Sequence, residues 1–204
     1  MKHVKDIRKR FANPSFPVFK ASELRTMGVG KKYSKRLLHL LLSKGEIARI
    51  TRGIYTFHDD VTVVGFAFQP FYYGLEDALR IRRLSLQGTN PLVLTARNVR
   101  MGVRQFKGRN YVVYRVRKEH FFGYSLVKYG DFWIPVSDIE KTIIDMIYFD
   151  NGIRDELWPG LIKSMNIKNL NRYLKRYKPK FRERVLAEVG KMKGVKLPKS
   201  RSGR

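Results

Sequence analysis

The chain of 204 residues contains no cysteine. Disulfides, thiolate zinc sites and a cysteine nucleophile are therefore excluded. It is also poor in acids, with 17 Asp and Glu against 43 Lys and Arg. Long apolar runs are missing too. The longest, Val61–Phe68, falls far short of the ~18 residues that a membrane span needs. The charged N-terminus is followed by no apolar h-region, so no secretory signal is read there. The four histidines, His3, His39, His58 and His120, are scattered without metal-ligand spacing. These absences point to a cytoplasmic protein without metal or cofactor.

What is present is positive charge, and it is uneven. The formal net charge is +26. Residues 1–57 contribute +11, residues 58–162 contribute +2 and residues 163–204 contribute +13. Two cationic ends flanking a nearly neutral middle place charge where a polyanion would be met. Apolar residues at 43% leave enough material for a folded core. No long basic helix with an aromatic and Leu face favours anionic lipid, so nucleic acid is the expected partner.

The first cationic end divides into short elements. Val4, Ile7 and Phe11 have helical spacing, and Asn13-Pro14 and Phe16-Pro17 break that helix. Ala21 to Met27 reads as a short helix stopped by Gly28. In the helix expected from Lys31 to Lys44, Leu37, Leu38, Leu41 and Leu42 make an apolar back. Lys32, Lys35, Arg36, His39 and Ser43 make the front. Glu46–Thr51 and Ile54–Phe57 alternate as strands, with Arg52-Gly53 at the hairpin tip.

This order predicts a winged helix-turn-helix, whose second helix reads base edges with its N-terminal residues. The expected readers are Lys31, Lys32, Tyr33, Ser34, Lys35, Arg36 and His39. The expected wing contacts are Arg49, Thr51, Arg52 and Gly53, with Ser22 and Arg25 on phosphates. Gly28-Val29-Gly30-Lys31-Lys32-Tyr33-Ser34 faintly suggests a phosphate loop, but Arg25 and Lys32 stand where a Walker A motif needs Gly and Ser/Thr.

The run Lys20–Phe57 resembles the N-terminal domain of the AbiEi antitoxins, transcriptional regulators of type IV toxin–antitoxin systems. The matching pieces are Phe19-Lys20-Ala21-Ser22-Glu23-Leu24, Gly28-Val29 before the helix, and Gly45-Glu46-Ile47 followed by Arg52-Gly53-Ile54-Tyr55. Further on, Tyr73–Leu79 is similar to the helix that opens the family's second domain. Pro135–Asp145 is similar to its Val-Ala-Ser/Thr-Pro-Glu-Arg/Lys-Ala-Leu-Leu-Asp signature, with Asp138-Ile139 in place of the usual proline. The resemblance implies a non-enzymatic repressor of its own operon, bound to double-stranded operator DNA. It implies a nucleotidyltransferase-type toxin as a functional partner rather than a tightly bound one. A homodimer on paired half-sites is compatible with this.

Residues 59–190 are expected to form a mixed α+β domain after a reader domain of residues 1–58. It should hold a small, mostly antiparallel sheet and C-terminal helices. Strands are predicted at Pro91–Ala96, Val99–Phe106, Asn110–Val116, Phe121–Val127 and Phe132–Val136, and a helix over Tyr73–Leu84. Ser137-x-x-Glu140 reads as a capping box opening another helix. Asp131, Asp138, Glu140, Asp145 and Asp150 read as structural, because Glu140 and Lys141 are adjacent rather than spaced as in a Glu-x-Lys nuclease. Lys175, Arg176, Lys178, Lys180, Arg182 and Arg184 form a second cationic cluster expected to touch phosphates, and residues 191–204 read as a basic disordered tail. Two other classes fit the charge: an RNA-binding or ribosome-associated protein, and a nuclease or base-excising enzyme with a winged-helix reader.

Overall fold

A computed structural model describes residues 2–192. The chain starts with α1 (Lys2–Phe11), β1 (Phe19–Lys20), α2 (Glu23–Thr26), α3 (Lys31–Ser43), β2 (Ala48–Thr51) and β3 (Ile54–Thr56). The three strands form an antiparallel sheet in the order β1-β3-β2. Ile7 and Phe11 of α1, Phe19, Leu24 and the apolar back of α3 fill one core, with Phe11 stacked on Phe19 at 4.8 Å. The β2–β3 tip turns at Gly53 with φ +78°, a left-handed value that glycine adopts without a Cβ penalty.

The second unit holds β4 (Phe71–Tyr73), α4 (Leu75–Ile81), β5 (Leu92–Thr95), β6 (Gly102–Phe106), β7 (Arg109–Arg115), β8 (Tyr124–Tyr129) and β9 (Phe132–Ser137). It closes with α5 (Ile139–Tyr148), α6 (Trp158–Ser164), α7 (Ile167–Leu174) and α8 (Pro179–Met192). The fold is α+β, and its larger sheet is six-stranded in the order β6-β7-β5-β4-β9-β8. Three of its pairings are antiparallel, while β4–β9 and β5–β7 are parallel.

Side chains alternate across this sheet, and both faces are covered. Tyr72, Leu92 and Leu94 point toward α5–α8. Phe71, Tyr73 and Val93 point the other way, into a core shared with the apolar run Val61–Phe68 and with Ala48 and Ile50 of β2. The wing strand is thus part of the second sheet's covering layer. Gly65 lies so close to that sheet that an added Cβ would fall 2.2 Å from the Phe71 ring.

The apolar run Val61–Phe68 forms a buried 3₁₀ segment. Several sequence readings shift. Phe71–Tyr73 is a central strand, so the following helix starts at Leu75. Ser137 ends β9 and is buried against Thr142. Asp138 caps α5 instead, accepting from the Lys141 N–H at 2.8 Å. The helix α8 runs to Met192, so Lys191 and Met192 are helical, and residues 193–204 of the expected tail lie outside the described residues.

Candidate nucleic-acid interface

The helix α3 follows the turn Gly28–Gly30, and its apolar back fixes how it sits. Leu37, Leu38 and Leu41 are buried, which turns Lys31, Lys32, Tyr33, Lys35, Arg36 and His39 outward. Ser34 must be removed from the reading set. It sits three and four residues before Leu37 and Leu38, on the same helical stripe. It is buried, and its hydroxyl donates to the Val29 carbonyl at 3.1 Å. Its role is to close the turn.

Acids near this front are engaged elsewhere. Glu46 pairs with Arg8 at 2.7 Å, and Glu23 accepts from the Lys20 N–H. No ion pair holds Lys31, Lys32, Lys35 or Arg36 among the described residues. On the wing, Ile50 points inward and Arg49 outward, with a bulge between Arg49 and Thr51 before the exposed Arg52 at the tip. Thr51 and Gly53 are half-buried, and Ser22 and Arg25 are exposed on and beside α2.

The C-terminal cluster is placed differently. The helices α7 and α8 cover the face of the six-stranded sheet opposite the wing, so the two basic ends occupy separate layers. Lys175, Lys178 and Lys180 are exposed. Arg176 lies over the Phe122 ring at 4.3 Å, and Arg182 is half-buried. Arg184 is exposed and pairs with Asp150 at 2.5 Å and with Glu188 at 3.7 Å.

The signature segment Pro135–Asp145 builds a buried polar knot. The Asn166 N–H donates to Glu140, which fastens the start of α7. The Lys141 ammonium donates to the Asp145 carboxylate one turn away, both fully enclosed. Tyr72 donates to the other Asp145 oxygen at 2.8 Å, and Lys141 lies within 5.1 Å of the Phe122 ring centroid. Burial pushes the Asp145 carboxyl up and the Lys141 ammonium down, and each is opposed by the charge of the other. Burial and the bond to Asp138 push the Tyr173 phenol up to about 12. No group of three His, Cys, Asp or Glu side chains able to hold a metal occurs among the described residues.

Two histidines in the second unit's packing are also shifted. His120 stacks on Tyr177 at 4.0 Å with Nδ1 unpartnered, and His58 meets Phe132 edge-on with Nε2 unpartnered, among the described residues. Burial lowers both pKa values. The unfolded chain takes up these protons below about pH 6.5 while the fold resists them, so stability held above that pH is lost as the pH falls. Asp77 and Asp145, pushed up by burial, act in the opposite sense. The expected outcome is a difference. Between pH 7.5 and 5.5 the native chain loses more melting temperature than the variant His58→Gln/His120→Phe, as measured by calorimetry.

The family model described as "Transcriptional regulator, AbiEi antitoxin" matches residues 10–58. Residues 10–58, about a quarter of the chain, are thus similar to the AbiEi antitoxins, which are transcriptional regulators. The AbiEi match ends shortly before the 3₁₀ segment and covers β1, α2, α3 and the wing. The match supports DNA binding in transcriptional regulation, in a toxin–antitoxin setting, for residues 10–58. No curated protein matches the chain. Among solved structures, the crystal structure of the RV2827C protein from Mycobacterium tuberculosis is similar, with a TM-score of 0.62 over 94% of this chain and 76% of that one. At 12% identity the likeness concerns the fold. Among the described residues, no helix is long and apolar enough to cross a membrane.

Proposed function

We propose that this protein is the antitoxin of a type IV toxin–antitoxin operon, acting in the cytoplasm as a sequence-specific repressor of that operon. The observation that carries the reading is the uncompensated cationic front of α3 beside an arginine-tipped wing. In this reading Lys31, Lys32, Tyr33, Lys35, Arg36 and His39 enter the major groove. Arg49, Thr51, Arg52 and Gly53 lie along the adjacent backbone, with Ser22 and Arg25 on phosphates. Residues 1–58 act as the reader and residues 59–190 as the antitoxin unit. A nucleotidyltransferase-type toxin is opposed without a tight complex. Lys175, Lys178 and Lys180 add sequence-independent attraction. No catalytic role is assigned, because Glu140, Lys141 and Asp145 are enclosed structural groups.

The test is a competition gel shift with the operon's own promoter, an unrelated duplex of equal length and a structured RNA. The expected result is a promoter affinity at least about a thousandfold above that for the unrelated duplex at physiological salt. A preference for the RNA would overturn the reading.

A further inference from the structure

The end of α4 and the β8–β9 turn line a half-open cavity of about 610 Å³. Four cations line it, Arg80, Arg82, Arg83 and Lys128, together with Tyr129 and Gly130, and no carboxylate does. Arg80 is already neutralised, since it holds Asp77 at 2.7 Å and donates to the Tyr129 hydroxyl. Among the described residues the other three form no ion pair, although Arg82 feels the charges of Asp138 and Glu140 beyond contact range. Arg82 is half-buried and donates only to neutral oxygens: the Ser137 carbonyl at 2.7 Å, the Val136 carbonyl at 3.1 Å and the Ser125 hydroxyl at 3.3 Å. Its Nη1 has no partner among the described residues. The Lys128 ammonium meets only the Asp131 carbonyl, at 3.2 Å.

Arg83 is the telling residue. It follows the C-cap of α4 with φ +60°. The Leu84 N–H donates to the Leu79 carbonyl at 2.8 Å and the Arg83 N–H to the Arg80 carbonyl at 3.0 Å, a Schellman closure. Glycine is the usual residue there, because an L side chain strains the left-handed backbone. Here the position carries an arginine whose exposed guanidinium has no partner among the described residues. The helix dipole accounts for one cation in the last turn, which Arg80 supplies. It does not account for a strained arginine turned onto a carboxylate-free concavity.

We propose that this cavity binds the phosphoryl end of a small phosphorylated molecule. Arg83 and Lys128 face the anion and Arg82 supplies a third donor. Several converging donors suit a terminal phosphate or diphosphate, with two or more charges on adjacent oxygens. A phosphodiester backbone offers one charge per residue on a convex strand and would leave donors unmet.

The test titrates inorganic pyrophosphate into the full chain by calorimetry at physiological salt. Three samples are compared: the native protein, Arg83→Gly, and the native protein saturated with non-specific duplex DNA. The native protein should bind one pyrophosphate, and Arg83→Gly should weaken this about tenfold. The same substitution should raise the melting temperature by roughly 2 °C, because it relieves the left-handed strain. Lys128→Gln should show the weakening without the thermal gain. Duplex saturation should leave pyrophosphate binding in place. Absence of binding, equal binding by Arg83→Gly, or an Arg83→Gly protein that melts below the native one would each overturn the proposal. Loss of pyrophosphate binding on duplex saturation would also overturn it, because the cavity would then belong to a nucleic-acid track.

Discussion

Replacing Asp145 with alanine should cost the fold about 3–5 kcal/mol. Lys141 is fully buried, and its ammonium meets Asp145 and, at 3.4 Å, the Tyr177 hydroxyl. With Asp145 gone, the ammonium faces aromatic rings and one weak phenol contact, and Tyr72 loses its acceptor. The lysine can shed its proton, which caps the cost but does not remove it. Since folded domains hold only ~5–15 kcal/mol in total, the variant should unfold at much lower urea, with an unchanged slope. Replacing both partners, as in Lys141→Met/Asp145→Leu, should recover most of the loss, because no orphan charge remains. A loss below about 1 kcal/mol for Asp145→Ala would show that water reaches Lys141, contrary to its enclosure.

The second large effect lies at the reader. Lys35→Ala should weaken operator binding by about 1–3 kcal/mol and erode the preference for operator over unrelated duplex. Arg52→Ala should weaken all duplexes alike and flatten the salt dependence by about one unit of slope. Both residues are exposed and, among the described residues, unpaired with acids, so melting temperatures should hardly change. Fluorescence anisotropy across a salt series measures all three quantities. Unchanged operator affinity in the double variant would refute the assignment of reader helix and wing.

The reader elements were legible because local signals agreed. The leucine stripe of α3, the glycine turn before it and the Arg-Gly tip each specify conformation over a few residues. Ser34 was misassigned although its spacing from Leu37 and Leu38 put it on the buried stripe; its polarity outweighed its position. The knot in α5 also left a trace. Lys141 and Asp145 are one turn apart in a helix whose other residues, from Thr142 to Ile147, leave no polar face. Such a helix must enclose its charges, and enclosed charges must pair. The sheet order was not legible, because β4–β9 joins residues more than sixty positions apart and no local pattern encodes that pairing. The strand Phe71–Tyr73 was hidden for a related reason. Buried on both faces, it shows no alternation.

The β2 strand packs against the Val61–Phe68 segment and the six-stranded sheet, and the Tyr111 hydroxyl points at the Ile50 carbonyl from 3.4 Å. The border visible in sequence therefore does not coincide with a border in packing. A chimera that exchanged residues 1–58 with a relative's would carry Ala48 and Ile50 onto a surface shaped for other side chains. A workable graft would have to include the sheet face beneath the wing. Operator preference in this chain would then evolve by changes at exposed α3 positions sooner than by wholesale exchange of the reading module.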